Sequence, residues 1–269
     1  GYYAVTLEPY KIRAELTATE RVGIQRYTFL EDADSACIIL NLDKATNWDR
    51  TVNSDARSIS PTQIVGFRYS DGWARDQKVY FTTTLSRPAL RIERTAIPYT
   101  SKGEVGKSVG YGVILRLYYG KVRAGQSITL SGVSEQGAQK NLKAEAPHSD
   151  FDRYREAATL AWNKRLGQVT LDAQVPDSLR RVFYTALYRS QICPTIYSDV
   201  DGRYLGADRA VHQAQHKTYS TFSLWDTYRT AHPLYALLRP SEARDMVASL
   251  VDFGEQNSGH LPVWNMFAS

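Results

Sequence analysis

The chain has 269 residues, 43% hydrophobic and 23% charged, with a formal net charge of +5 at pH 7, which is ordinary for a soluble globular protein and long enough for two domains. No run approaches the ~20 apolar residues of a membrane span, and the opening GYYAVTLEPYK lacks the charged, apolar and cleavage regions of a signal peptide. The positive charge is spread over single Lys and Arg residues, with RPALRIER (Arg87 to Arg94) the one local basic cluster and best read as a solvated strand face, so nucleic-acid binding is not expected.

From Tyr2 to about Gly132 the chain is a series of short alternating segments: YYAVTL, IRAELTAT, QRYTFL, ACIILNL, QIVGFRYS, KVYFTTTL, LRIERTAI, YGVILRLYYG and SITLSGV. β-Branched and aromatic residues recur at period two between Gly, Asp, Asn and Pro, which predicts strands. Many short strands without intervening helical pattern imply a β-sandwich, and the frequent tyrosines predict a partly aromatic sheet face. Cys37 and Cys193 sit in apolar surroundings and read as buried small hydrophobes, not as a disulfide.

Around Gly137 the periodicity changes. AQKNLKAEAP is followed by FDRYREAATLAWNKRLGQVTL, where Phe151, Tyr154, Ala158, Ala161 and Trp162 fall at helical intervals between the cap candidates Ser149 and Asp150 and a stop at Gly167. VPDSLRRVFYTALYRSQICP then places Leu179, Val182, Phe183, Ala186 and Leu187 on one helical face and ends at Pro194. A long connection, TIYSDVDGRYLGADRAVHQAQHKTYSTFS, comes next and is expected to be functional because of its length and aromatic content. It leads into a helix WDTYRTAHPLYALLR interrupted by Pro233. After Pro240 a further helix carries Met246, Val247, Leu250, Val251 and Phe253 on an apolar face, and SGHLPVWNMFAS closes as a loop without a terminating helix. The domains read as a β-sandwich over 1–145, incomplete at its N-terminus, a helical linker over 146–174, and helical hairpins with gathered loops over 175–269. The abrupt start and stop suggest a fragment.

Several motifs fail their fuller tests. Asp199 and Asp201 before Gly202 imitate a calcium loop, but Arg203 and Ala210 stand where ligands are needed, so a turn with Asx hydrogen bonds is expected. His212 and His216 have the i, i+4 spacing of a zinc helix without its glutamate. Gly106-Lys107-Ser108 mimics the end of a phosphate loop, but Ser101 replaces the first glycine and a strand follows.

The richest stretch is Tyr219 to Pro233, YSTFSLWDTYRTAHP. Trp225 offers a flat apolar face with one N–H donor, Asp226 an acceptor carboxylate and Arg229 a planar donor fork, a set suited to a polyhydroxylated ring. The competing account is structural: Ser223 and Asp226 match an S-x-x-D capping pattern, Asp226 and Arg229 form an i, i+3 pair, and Trp225 anchors a core. On composition and spacing alone the structural account is the stronger. Glycoside hydrolysis needs two flanking carboxyl groups. Asp199, Asp201, Asp226 and Glu255 are the candidates, and no spacing selects a pair.

YSTFSLWDTYRTAHPL, with FYTALYRSQICP and SDVDGRY before it and GHLPVW after it, resembles glycoside hydrolase family 92, the exo-acting α-mannosidases. LTATERVGIQRYTF and GAQKNLKAEAP resemble that family's first domain and its junction, so the likeness runs over nearly the whole chain in matching order. The resemblance implies an N-terminal β-sandwich, a helical linker and the start of an (α/α)6 toroid, with the active site where the domains meet. It implies a calcium-dependent, inverting exo-α-mannosidase acting on α-mannosides such as N-glycans or mannan, secreted, periplasmic or at the cell surface. It also assigns sugar contacts to Trp225, Asp226 and Trp264, with Arg229 and His232 in support. Gln25 departs from the family's frequent histidine, and Asn265 from an acidic residue in many members. The family's catalytic carboxylates and calcium ligands are expected beyond Ser269, so this chain is expected to hold no catalytic residue and no metal ligand. A non-catalytic carbohydrate-binding protein and a sandwich-plus-toroid glycoside phosphorylase are the other two readings, and oligomeric state is left open.

Overall fold

The computed structural model describes residues 1–44, 49–74, 76–100, 108–133, 135–262 and 264–265. The chain divides into two compact units, Gly1–Ala158 and Thr159–Ser269. Gly106 and Lys107 of the phosphate-loop mimic, and Met266 to Ser269 of the closing loop, lie outside the described residues.

The first unit holds β1 (Tyr2–Leu7), β2 (Ile12–Ala18), β3 (Gly23–Phe29), β4 (Ala33–Asn41), β5 (Arg50–Ser60), β6 (Gln63–Asp71), β7 (Gln77–Leu85), β8 (Arg91–Thr100), β9 (Ser108–Val122) and β10 (Ser127–Val133). They form a seven-stranded sheet ordered β1-β2-β3-β10-β7-β6-β5 and a three-stranded sheet ordered β4-β9-β8, with antiparallel pairing throughout. The expected sandwich is what forms. Its core joins Phe29, Ile64, Leu85 and Ile128 of the larger sheet to Val113, Leu115, Leu117 and Tyr119 of β9. On β9 every second residue points inward, as period-two patterning requires, and burial of each large aliphatic side chain contributes about 1.5–3 kcal/mol.

β5 is the strand the alternation pattern does not reveal. Its buried inward positions are Ser54 and Ala56, and the Ser54 hydroxyl accepts from the Val113 backbone N–H at 2.8 Å and donates to the Tyr111 carbonyl at 3.2 Å. Asn53 Oδ1 accepts from the Tyr111 N–H at 3.0 Å. The sheets meet here through directional bonds. A Cβ on Gly110 would lie 2.1 Å from the Val52 carbonyl oxygen, so only glycine allows this approach.

α1 (Glu135–Glu145) and the start of α2 (Phe151–Leu166) complete the first unit. Leu142, Ala146, Phe151 and Tyr154 pack with Val22 and Ile24, while Glu145 accepts from Thr19 Oγ1 at 2.5 Å and Arg21 Nη1 at 2.7 Å.

In the second unit α3 (Asp177–Arg189) buries Leu187, whereas Leu179 and Val182 of the expected apolar face are exposed. The long connection is more structured than expected: β11 (Thr195–Ile196) pairs with β14 (Tyr219–Ser220), and β12 (Arg203–Leu205) with β13 (Val211–Gln213). Two- and three-residue strands are too short for periodicity to expose. β15 (Phe222–Ser223) leads into α4 (Leu224–Thr227), α5 (Ala231–Leu238) and α6 (Pro240–Gln256), and β16 (Trp264–Asn265) returns to pair with β15. The expected helix is interrupted, but not at Pro233 itself, which sits in the first turn of α5, where its missing N–H leaves no bond unmade. The break precedes it at Tyr228 to Thr230, because a proline ring clashes with the carbonyl four residues back. On α6 Met246 is buried but Val247 and Val251 are exposed. Cys193 is also exposed, not buried as expected, since it follows the end of α3 with its carbonyl accepting from Tyr235 Oη.

A buried charged network of the first unit joins β2 and β3. Arg26 Nε and Nη2 donate to the two oxygens of Glu15 at 2.8 and 3.1 Å, Tyr2 Oη donates to Glu15 at 2.7 Å, and Arg26 continues to Asp152 at 2.7 Å. The Arg26 bond holds the buried Glu15 carboxyl down at about 2. Its stabilisation is therefore complete above the ordinary glutamate value of 4.5 and is lost as pH falls from there through about 2. At about 1.4 kcal/mol per tenfold change in proton affinity, Glu15→Gln is expected to cost roughly 3–4 kcal/mol at pH 7 and to flatten the acid limb of the stability profile. Urea unfolding at pH 7 and pH 3 measures both; a variant as stable as the parent refutes the assignment.

Candidate functional site

The site is built where the second unit's chain turns from β14 into β15. Thr221 takes a left-handed φ of 62°, uncommon for a β-branched residue, and its hydroxyl is tied to Thr195 Oγ1 at 2.8 Å and Thr195 N at 3.1 Å. The turn sends Phe222 into a cluster with Tyr219, Tyr235 and Met246. Ser223, next in the strand, pairs with Trp264.

Ser223 is the N-cap of α4 yet makes no side-chain cap bond. The capping account of the S-x-x-D pattern therefore fails: the Ser223 hydroxyl donates to the Asp226 carboxylate instead and accepts from Trp264 Nε1 at 2.9 Å. Thr227 Oγ1 donates to the Ser223 carbonyl at 2.8 Å, holding the turn from below. The core-anchor account of Trp225 fails as well, since Trp225 is 74% exposed.

Leu224, Trp225, Asp226, Tyr228, Arg229, Leu261 and Pro262 line an open cavity of about 700 Å³. The cavity offers an indole face and an apolar wall, with a carboxylate and a guanidinium among its lining groups. The expected Asp226–Arg229 pair does not form among the described residues, because α4 ends at Thr227 and the helical i, i+3 geometry ends with it. Arg229 Nε donates instead to Tyr228 Oη at 2.7 Å.

Of the five residues singled out, Trp225, Asp226 and Arg229 line this cavity, and Trp264 reaches it through Ser223. His232 stands behind it, with its ring 6.4 Å from Phe222 and 5.4 Å from Tyr235; burial pushes its proton affinity down. Tyr228, Leu261 and Pro262 are lining residues that sequence reasoning did not single out. Their only signal was adjacency to Trp225 and Trp264.

The other candidates lie elsewhere. Asp201 accepts from the Arg203 N–H at 3.3 Å and pairs with its side chain at 3.0 Å, an Asx turn around Gly202. His212 and His216 lie on and just after a strand rather than on a helix, and bind different carboxylates, Asp208 at 2.9 Å and Asp252 at 3.3 Å. With Tyr204, Glu255 and Gln256 they line a second cavity of about 580 Å³. A third cavity beneath the hairpin, about 30 Å³ and bounded by Tyr197 and Thr218, is too small for a sugar. Among the described residues no group of three or more His, Cys, Asp or Glu side chains is placed to hold a metal ion, so they offer no carboxylate cluster for calcium.

Comparison with known proteins adds the following. The model of the glycosyl hydrolase family 92 N-terminal domain matches residues 1–130, and that of the family 92 catalytic domain matches residues 137–269. An uncharacterized secreted glycosidase of Arthroderma benhamiae is 32% identical over an alignment covering 85% of this chain and 32% of the relative. The structure of a family 92 α-mannosidase from Bacteroides thetaiotaomicron is 28% identical with a TM-score of 0.89, covering 100% of this chain and 37% of that one. Its complex with mannoimidazole gives 29% identity and a TM-score of 0.88, covering 100% of this chain and 36% of that one. The chain thus spans about a third of the length of the relatives it matches.

Exposure separates the two neighbouring aromatic residues Trp225 and Phe222. Trp225→Ala is expected to change stability by no more than about 0.5 kcal/mol, whereas Phe222→Ala, at a residue 1% exposed, should cost about 3–5 kcal/mol. Denaturant unfolding of the two variants checks this, and equal losses would return Trp225 to the core.

Proposed function

Because the chain belongs to glycosyl hydrolase family 92, we propose that the full-length protein is an inverting exo-α-mannosidase that releases terminal mannose from α-mannosides such as N-glycans or mannan. The observation that carries this reading is Trp225, an exposed indole beside the Asp226 carboxylate in an open cavity. A pyranose has an apolar face of C–H bonds and a rim of hydroxyls. Trp225, with Leu261 and Pro262, takes the first by stacking, Asp226 accepts from the second and Arg229 donates to it. The mannoimidazole complex of the relative supports a mannose-like ligand.

The general acid and base of an inverting mechanism are assigned to carboxylates outside this chain, one protonating the leaving oxygen and the other activating water. The calcium requirement is likewise proposed for the full-length enzyme, with ligands from segments other than the described residues. Calcium's flexible oxygen coordination suits it to vicinal sugar hydroxyls. In this chain the contribution is binding and orientation. The name of the Arthroderma relative supports a secreted or surface location.

Two hydrogen bonds to a carboxylate are worth about 3 kcal/mol together, so Asp226→Ala in the full-length protein should lower kcat/KM on an aryl α-mannoside about a hundredfold. Unchanged efficiency removes Asp226 from the site. Activity should disappear in EDTA and return with added calcium; full activity in EDTA overturns the metal proposal. Turnover that requires phosphate and yields a sugar phosphate would make the enzyme a phosphorylase, and mannose binding without release would make the protein a lectin.

A further inference from the structure

The hydrogen bonds behind the cavity run in one direction. An indole N–H can only donate and an ionised carboxylate can only accept. The hydroxyl between them must then accept from Trp264 Nε1, at 2.9 Å, and spend its single proton on Asp226 Oδ2. No alternative orientation of the Ser223 hydroxyl satisfies both neighbours. Its backbone is fixed on both sides, by the pairing of Ser223 with Trp264 and by the Thr227 hydroxyl on its carbonyl. Among the described residues the other oxygen, Oδ1 of Asp226, accepts no hydrogen bond, which leaves it for a ligand.

From this geometry we infer that Ser223 is the positioning residue of Asp226, and that Trp264 acts on the sugar site through Ser223 and not by giving its own N–H to the ligand. Polarised hydrogen bonds in series strengthen one another: the indole N–H draws electron density onto the serine oxygen and makes its proton a better donor to Asp226. The carboxylate is held in one rotamer with one oxygen presented. Free rotation of Asp226 would cost binding, because each sugar hydroxyl would have to order it again.

The inference rests on the sugar-binding reading of Asp226, and the test separates the two. In the full-length protein Ser223→Ala should lower kcat/KM on an aryl α-mannoside about tenfold, the worth of one hydrogen bond to a charged group. Ser223→Thr, which keeps the hydroxyl on a strand position, should stay within about twofold of the parent. In an Asp226→Ala background Ser223→Ala should cause no further loss, since a residue that acts only through Asp226 has nothing left to position. Full additivity of the two substitutions overturns the inference while leaving the sugar-binding reading intact. A silent Asp226→Ala sinks that reading instead, and the relay is then decided by a readout free of turnover. With 15N-labelled tryptophan, Asp226→Ala should shift the Trp264 indole N–H resonance in the parent, and should not shift it once Ser223 is alanine. Equal shifts in both backgrounds, or none in the parent, overturn the relay. Unfolding midpoints recorded for every variant separate misfolding from lost positioning.

Discussion

The pairing of Phe222 and Ser223 with Asn265 and Trp264 is the constraint on which the candidate site depends. Successive strand residues point to opposite faces, so once Phe222 is driven into the cluster with Tyr219, Tyr235 and Met246, Ser223 has to face the other way. The burial of one aromatic ring thus sets the direction of one hydroxyl. A slip of a single residue would bury the serine and expose the phenylalanine. Thr221, in its left-handed conformation, is the step that puts the alternation into phase after Ser220, which is itself buried. A backbone cost of order 1–3 kcal/mol at Thr221 is offset by the hydrogen bonds of its hydroxyl and by the burial of Phe222 that follows.

The first unit applies the same logic to its two sheets. Apolar burial drives Val113, Leu115 and Leu117 toward Ile64 and Leu85, but hydrophobic attraction is non-directional and would tolerate sliding of one sheet over the other. The bonds from Asn53 and Ser54 to the backbone at Tyr111 and Val113 have a direction and a length, and the missing side chain at Gly110 gives them room. A buried hydroxyl with both its donor and acceptor roles filled adds specificity at little cost; unpartnered, it would cost about 1–3 kcal/mol.

Those polar contacts also explain what could be read in the chain beforehand. Nine strand segments were legible because a half-buried strand must alternate, and the helices of 151–166, 177–189 and 240–256 because their caps, prolines and spacing agree. β5 was not, since Ser54 and Ala56 fill its inward positions. The site was legible as a set of residue types around Trp225 and Asp226, but not as an arrangement. Ser223 and Trp264 are 41 residues apart and meet only through a two-residue strand pairing. The capping pattern misled for a definite reason: it supposes that a serine oxygen takes a backbone N–H, and it cannot register a competing carboxylate and indole.

Cavities of similar size also lie along α3, about 610 Å³ between Arg181 and Arg189 with no carboxylate and no aromatic ring in its lining, and around the β12–β13 hairpin, so volume does not single out the one beside α4. Around the hairpin several polar groups are spent on one another: His212 on Asp208, Tyr204 on Asp252, Gln256 on Tyr204. A ligand entering there would have to break protein hydrogen bonds to make its own, and the exchange gains little. Beside α4 the balance is reversed. Asp226 Oδ1 accepts no hydrogen bond among the described residues, and Trp225 keeps 74% of its surface in water, forgoing most of the stabilisation that burying an aromatic ring provides. Folding alone offers no return for leaving an indole in that state. A ligand with one apolar face and hydroxyls at its edge would recover the stacking energy and supply Asp226 with donors in the same step, which is the physical ground for placing the proposed sugar beside α4.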